Sequence, residues 1–178
     1  MIETDRLVLR SWCEGDLASF SKMNSDKEVM EYLPKCLSYD ETVLFFRRIV
    51  DEHKIFGYGL YAVVLKNTGE FIGYTGFHNF DFEAEFSPGV EIGWRLAKKY
   101  WNQGYATEAA RACIDYACSH KLFDKIYSFT SISNHRSERV MQKIGMEHQG
   151  FFRHPSLPDG HRLKEHTLYK LKLCPTYQ

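Results

Sequence analysis

One stretch constrains the fold of this chain more than any other. After Gly104, the residues Ala106, Ala109, Ala110, Cys113, Ile114, Ala117 and Cys118 recur with helical spacing and form one continuous face. That face is almost wholly small, so the helix can lie close against a sheet. Gly104 stands at its mouth. A glycine there either makes a strand-to-helix turn or opens an anion site, where free N–H groups and the positive end of the helix dipole converge. Spacing alone does not choose between the two. Neither GxxxxGK[ST] nor GxGxxG occurs, so the common nucleotide loops are excluded.

The rest of the pattern supplies a sheet for that helix. Residues 6–10 alternate as a strand, and 16–24 read as a short helix. Ser38 and Glu41 match a capping box, and Phe45, Phe46, Ile49 and Val50 carry the helix to about Lys54. Residues 58–66 and 70–80 form a hairpin around Asn67-Thr68-Gly69. An acidic loop over 81–89 leads to a strand over 90–96. A strand over 126–132 precedes a helix over 134–144, with Asn134 as N-cap and Gly145 at the left-handed position that ends it. Strands over 147–153 and 164–173 complete about seven strands and four helices. The expected class is a mixed α/β (α+β) single domain over 1–178, with its core over 3–173.

Composition removes several function classes. Lys+Arg and Asp+Glu both number 23, so the net charge is zero, unlike a nucleic-acid binder. No apolar run reaches the length of a membrane span, and the charged, alternating N-terminus differs from a signal peptide. A cytoplasmic location is expected, with no nucleic-acid or membrane partner. The five cysteines, Cys13, Cys36, Cys113, Cys118 and Cys174, include no CxxC pair and are expected to be free and buried. The eight histidines include no HExxH, and no metal is expected.

Four stretches, ETDRLVLR, GYTGF, VEIGWRLAKKYWNQGYATEA and SISNHRSERVMQKIGM, occur in this order along nearly the whole chain. Together they resemble the GNAT N-acetyltransferases, specifically the RimJ/RimL-like branch. The resemblance implies a GNAT fold in which two central parallel strands splay apart. It also supplies an anion, the pyrophosphate of acetyl-CoA, held by Gln103, Gly104, Tyr105, Ala106 and Thr107. The family pattern [QR]-x-x-G-x-[GA] is matched at Gly104 and Ala106, but Trp101 replaces the Gln or Arg. The pantetheine arm is expected along the strand carrying Trp94 and Leu96. Asn134 matches a residue that touches the cofactor, a role compatible with its capping duty.

Acetyl transfer to an amine requires a base, donors for the oxyanion and a proton for the departing thiolate. A thiol pKa of about 8.5 makes the thiolate a fair leaving group in any case. Glu91 is the expected base; its alternative is a solvent-facing strand residue. The oxyanion is expected on a backbone N–H between Ile92 and Trp94, with a bulge at Gly93. Many family members use a tyrosine as acid where this chain has Met141; the resemblance to this branch implies instead that Ser137, one turn earlier on the same helical face, is the partner of the sulfur. Its alternative is an ordinary polar helix residue. Tyr32, Phe77, His78, Tyr100 and Arg153 are the acceptor-side candidates. Asp81, Glu83 and Glu85 either attract a cationic amine or form a solvated loop. The acceptor is a small-molecule amine or a protein N-terminus, and the chain a monomer or homodimer. The competing reading is a non-catalytic module that binds coenzyme A or a protein partner.

Overall fold

The computed structural model describes residues 1–173; Cys174 lies outside them. The chain runs through β1 (Ile2–Glu3), β2 (Leu7–Arg10), α1 (Leu17–Ser25), α2 (Tyr39–Phe56), β3 (Leu60–Leu65), β4 (Phe71–Phe80) and β5 (Gly89–Leu96). It continues through α3 (Tyr105–Ser119), β6 (Lys125–Ser131), α4 (His135–Lys143), β7 (Glu147–Arg153) and β8 (Glu165–Lys172). The strands form one eight-stranded sheet in the order β1-β2-β3-β4-β5-β6-β8-β7. The strand beyond the expected seven is β1, whose two residues carry no readable period. Every pairing is antiparallel except β5 with β6.

Two apolar layers sandwich the sheet. On one face, Ala109, Ala110, Cys113 and Ala117 bring α3 down onto Ile72, Phe77, Ile92 and Ile126, and Met141 adds α4. On the other, Phe20 and Met23 of α1 and Phe46 and Ile49 of α2 pack on Leu60 and Tyr74. Phe20 is fully buried, with its ring 4.7 Å from Trp12, and its loss to alanine would cost about 3–5 kcal/mol.

Local chemistry fixes the helix ends. The Ser38 hydroxyl accepts from the Glu41 N–H at 3.2 Å, and the Glu41 carboxylate accepts from the Ser38 N–H at 2.8 Å, completing the capping box of α2. Ahead of α1, burial would raise the Asp16 carboxyl, but the two-pronged Arg10 guanidinium and the Cys13 N–H hold it below its ordinary value. In β4, a Cβ on Gly76 would fall 2.2 Å from the Gly59 carbonyl oxygen, so only glycine lets β3 approach there.

Two expectations fail here. The β4–β5 ladder runs without a register shift from Gly73 opposite Leu96 to Phe80 opposite Gly89, so Gly93 makes no bulge. Of the four described cysteines only Cys113 is fully buried, and Cys13 is exposed, because the residues around Cys13 form a surface turn rather than part of an apolar face.

Candidate active site

The β5–β6 pairing consists of a single register pair, Glu91 with Tyr127. Past it the strands part, leaving backbone groups of the sheet without a ladder partner. This gap opens into a cleft of about 540 Å3 that reaches from the α1–α2 loop and α2 on one side to the starts of α3 and α4 on the other.

Gly104 begins α3 with φ 83°, and no side chain caps the helix. Among the described residues the first N–H groups of the helix therefore lack acceptors, and Gly104, Tyr105, Ala106 and Thr107 line the cleft, as do Arg139 and Lys143. Arg6 braces this loop from behind. Its guanidinium donates to the Gln103 carbonyl at 3.0 Å, pairs with Glu108 at 2.6 Å and lies 4.4 Å from the centre of the Tyr105 ring. The Gln103 side chain is not brought to the cleft; its amide turns back to the Lys99 carbonyl at 2.8 Å. Trp101, the departure from the family pattern, donates to the Leu96 carbonyl at 2.8 Å and carries the Arg136 guanidinium on its ring. Trp94 and Leu96 line the cleft on β5. Bare helix N–H groups, two cations and a parted strand pair form a cradle whose chemistry fits a long thioester bearing phosphates.

Glu91 is on the cleft wall, not on the solvent side. Burial alone drives its carboxyl up to about 8, and among the described residues no hydrogen bond or ion pair reaches it. Ser137 lines the cleft in the first turn of α4, while Met141, one turn on, is fully buried in the core. Asn134 Oδ1 accepts from the Ser137 N–H at 3.3 Å, and Asn134 Nδ2 donates to Thr130 Oγ1 at 2.9 Å. Its capping role is thus observed, and it also lines the cleft.

Of the acceptor candidates, Tyr32, His78 and Tyr100 line the cleft. Phe77 does not: alternation along β4 turns it to the α3 side, where it packs against Phe123 at 4.9 Å. Arg153 does not either, since on edge strand β7 it pairs with Asp159 at 3.0 Å. Asp81, Glu83 and Glu85 are exposed and stand outside the cleft. The sequence reading missed Arg48, Tyr74 and Arg95. Alternation along the strand already places Arg95 on the face of Glu91 and Gly93, but assigns it no role. Among the described residues no group of three or more His, Cys, Asp or Glu is placed to hold a metal, and no helix is long and apolar enough to cross a membrane.

Comparison with known proteins agrees with this fold. The acetyltransferase (GNAT) domain family matches residues 6–147. The uncharacterized N-acetyltransferase YnaD of Bacillus subtilis is 31% identical over 170 residues, spanning 96% of this chain and 95% of its own. An acetyltransferase (GNAT family) structure from Bacillus anthracis superposes with a TM-score of 0.81 at 29% identity, covering 96% of this chain and 97% of that one. RimL, a ribosomal L7/L12 alpha-N-protein acetyltransferase solved in complex with coenzyme A, shares the fold with a TM-score of 0.78 at 17% identity, over 96% of each chain. With the family matched over most of its length and the fold shared throughout, this chain belongs to the GNAT family of acetyltransferases.

Proposed function

We propose that the protein moves the acetyl group of acetyl-CoA to a primary amine by direct attack on the thioester, without a covalent enzyme intermediate. One observation carries this reading. A partly buried carboxylate without a hydrogen bond among the described residues, Glu91, stands where β5 and β6 part, on the wall of the same cleft as the bare start of α3. Glu91 takes the proton from the acceptor ammonium, directly or through a water. The N–H groups of Tyr105, Ala106 and Thr107, with Arg139 and Lys143, hold the pyrophosphate. Trp94 and Leu96 guide the pantetheine arm, and Asn134 stands at the cofactor side of the cleft. Ser137 donates toward the departing sulfur. Tyr32, His78 and Tyr100 shape the acceptor side.

The test is thiol release from acetyl-CoA against a panel of primary amines, including peptides with free N-termini. Turnover with at least one amine, abolished in Glu91→Gln, supports the reading. Acetyl-CoA binding with no turnover on any amine would contradict it and favour a binding module.

A further inference from the structure

The acceptor side of the cleft has a floor made of three cross-strand pairs of β4 and β5. They are His78 opposite Glu91, Gly76 opposite Gly93, and Tyr74 opposite Arg95. At one end stands the proposed base. In the middle, a Cβ on Gly93 would meet nothing closer than a Glu91 carboxylate oxygen at 4.0 Å, so the floor there is open. At the other end, the Arg95 guanidinium lies 5.2 Å from the centre of the Tyr74 ring and 5.9 Å from that of Phe45. It donates to Asn24 Oδ1 at 2.8 Å. Asn24 is fully buried and in turn donates to Thr42 Oγ1 at 3.4 Å, so Arg95 is anchored from below.

None of these contacts neutralises Arg95. Among the described residues no carboxylate pairs with it, and its neighbours are two rings and an uncharged amide. Arg48 reaches the same Phe45 ring from α2, at 4.8 Å, and has only a 3.9 Å approach to Glu52. The other Glu52 oxygen is taken by His78 at 3.0 Å. Glu28, which lines this side of the cleft, is occupied by Lys98 at 2.5 Å. A partly buried guanidinium held in place but left without an anion is costly, and its planar donor fork suits a carboxylate or a phosphate.

From this arrangement, and resting on the acetyltransferase reading above, we infer that the acceptor is an amine that also carries an anionic group. The amine lies at Glu91, the linking atoms cross the open floor at Gly93, and the carboxylate or phosphate meets Arg95 and Arg48. Glu91 and Arg95 are separated by about 13 Å of strand, so the two charged groups of the acceptor are joined by a chain of several bonds. A polycationic amine is the wrong partner for this floor.

The test uses ω-amino carboxylates of increasing chain length and their primary amides. Both kcat/KM for thiol release and calorimetric binding in the presence of coenzyme A are measured. The native protein favours the carboxylates by at least about tenfold in both readouts, the worth of one charge-assisted pair. The ratio falls toward one in Arg95→Gln and returns in part in Arg95→Lys, with melting temperatures confirming that both variants fold. Tripeptides with an acidic or an uncharged second residue form a parallel arm. A preference confined to them keeps the anion site and assigns it to a peptide N-terminus. Equal handling of carboxylates and amides in both arms, or a preference for a polyamine, overturns the inference while acetyl transfer stands. A carboxylate probe that binds without being acetylated, in a protein that acetylates no amine, keeps the anion site and overturns the acetyltransferase reading instead.

Discussion

His78 and Glu91 stand directly opposite each other in the β4–β5 ladder, and Glu52 holds the imidazole from the far side at 3.0 Å. Opposed positions of this kind place the Cβ atoms about 4.5–5.5 Å apart. His78, Tyr74, Arg95 and Tyr127 are charged or titratable neighbours of Glu91 on this face, and none of them hydrogen-bonds its carboxylate. A base so desolvated works best once it has lost its proton. The value of kcat/KM should therefore rise with pH through an apparent pKa of about 8. Glu91→Gln should lower kcat/KM by about 10²–10⁴ and leave only the titration of the acceptor amine in the profile. Parallel pH–rate profiles of native and variant protein check this.

The same carboxylate sets a pH dependence of stability. In the unfolded chain it titrates at about 4.3; in the fold, at about 8. Below pH 4 both states hold the proton, and the group makes no difference. Between these values the unfolded chain has released its proton while the fold retains it, so stability falls as pH rises. Above pH 8 the loss is complete. Glu91→Gln should thus gain a few °C in Tm relative to native protein on going from about pH 4 to pH 9. Thermal unfolding at both pH values checks it; an offset that does not change with pH would mean that the carboxylate is solvated.

Ser137→Ala should lower kcat by about tenfold to a hundredfold with little change in the KM for acetyl-CoA. The Asn134 cap uses the Ser137 backbone N–H, not its hydroxyl, so the helix start survives the substitution. Steady-state kinetics decide, and an unchanged kcat would remove Ser137 from the chemistry.

Arg6→Gln should raise the Kd for acetyl-CoA roughly twofold to tenfold, the cost of ordering one or two more side chains on binding. The Arg6 side chain is 46% exposed, so its pairing with Glu108 adds less than about 1 kcal/mol to stability. Titration calorimetry and a melting curve separate the two effects.

Much of this arrangement is legible in the sequence because it is local. The capping box at Ser38, the small-residue face of α3, the glycine ending α4 and the limits of β7 follow from neighbouring residues alone. The cleft position of Glu91 is legible only through the family resemblance, because alternation fixes a face of the sheet and not what covers it. Phe77 was misplaced for a related reason. It is adjacent to His78 in sequence, yet the period of two sends it into the core. Alternation puts Arg95 on the face of Glu91 and Gly93 but shows no role for it there. Its role emerges only when α1 and α2 bring Asn24 and Phe45 to it. The parting of β5 and β6 is a property of the whole sheet and leaves no mark on either strand.

The central claim is that the bare start of α3 binds acetyl-CoA. Its most direct test is a calorimetric titration of acetyl-CoA into native protein, Gly104→Ala and Gly104→Glu. Both substitutions strain the left-handed backbone at this position, and only glutamate adds a charge that repels the pyrophosphate. The account predicts micromolar binding by native protein, weaker binding by the alanine variant and none by the glutamate variant. Absence of binding by native protein, or equal affinity in all three, would contradict it.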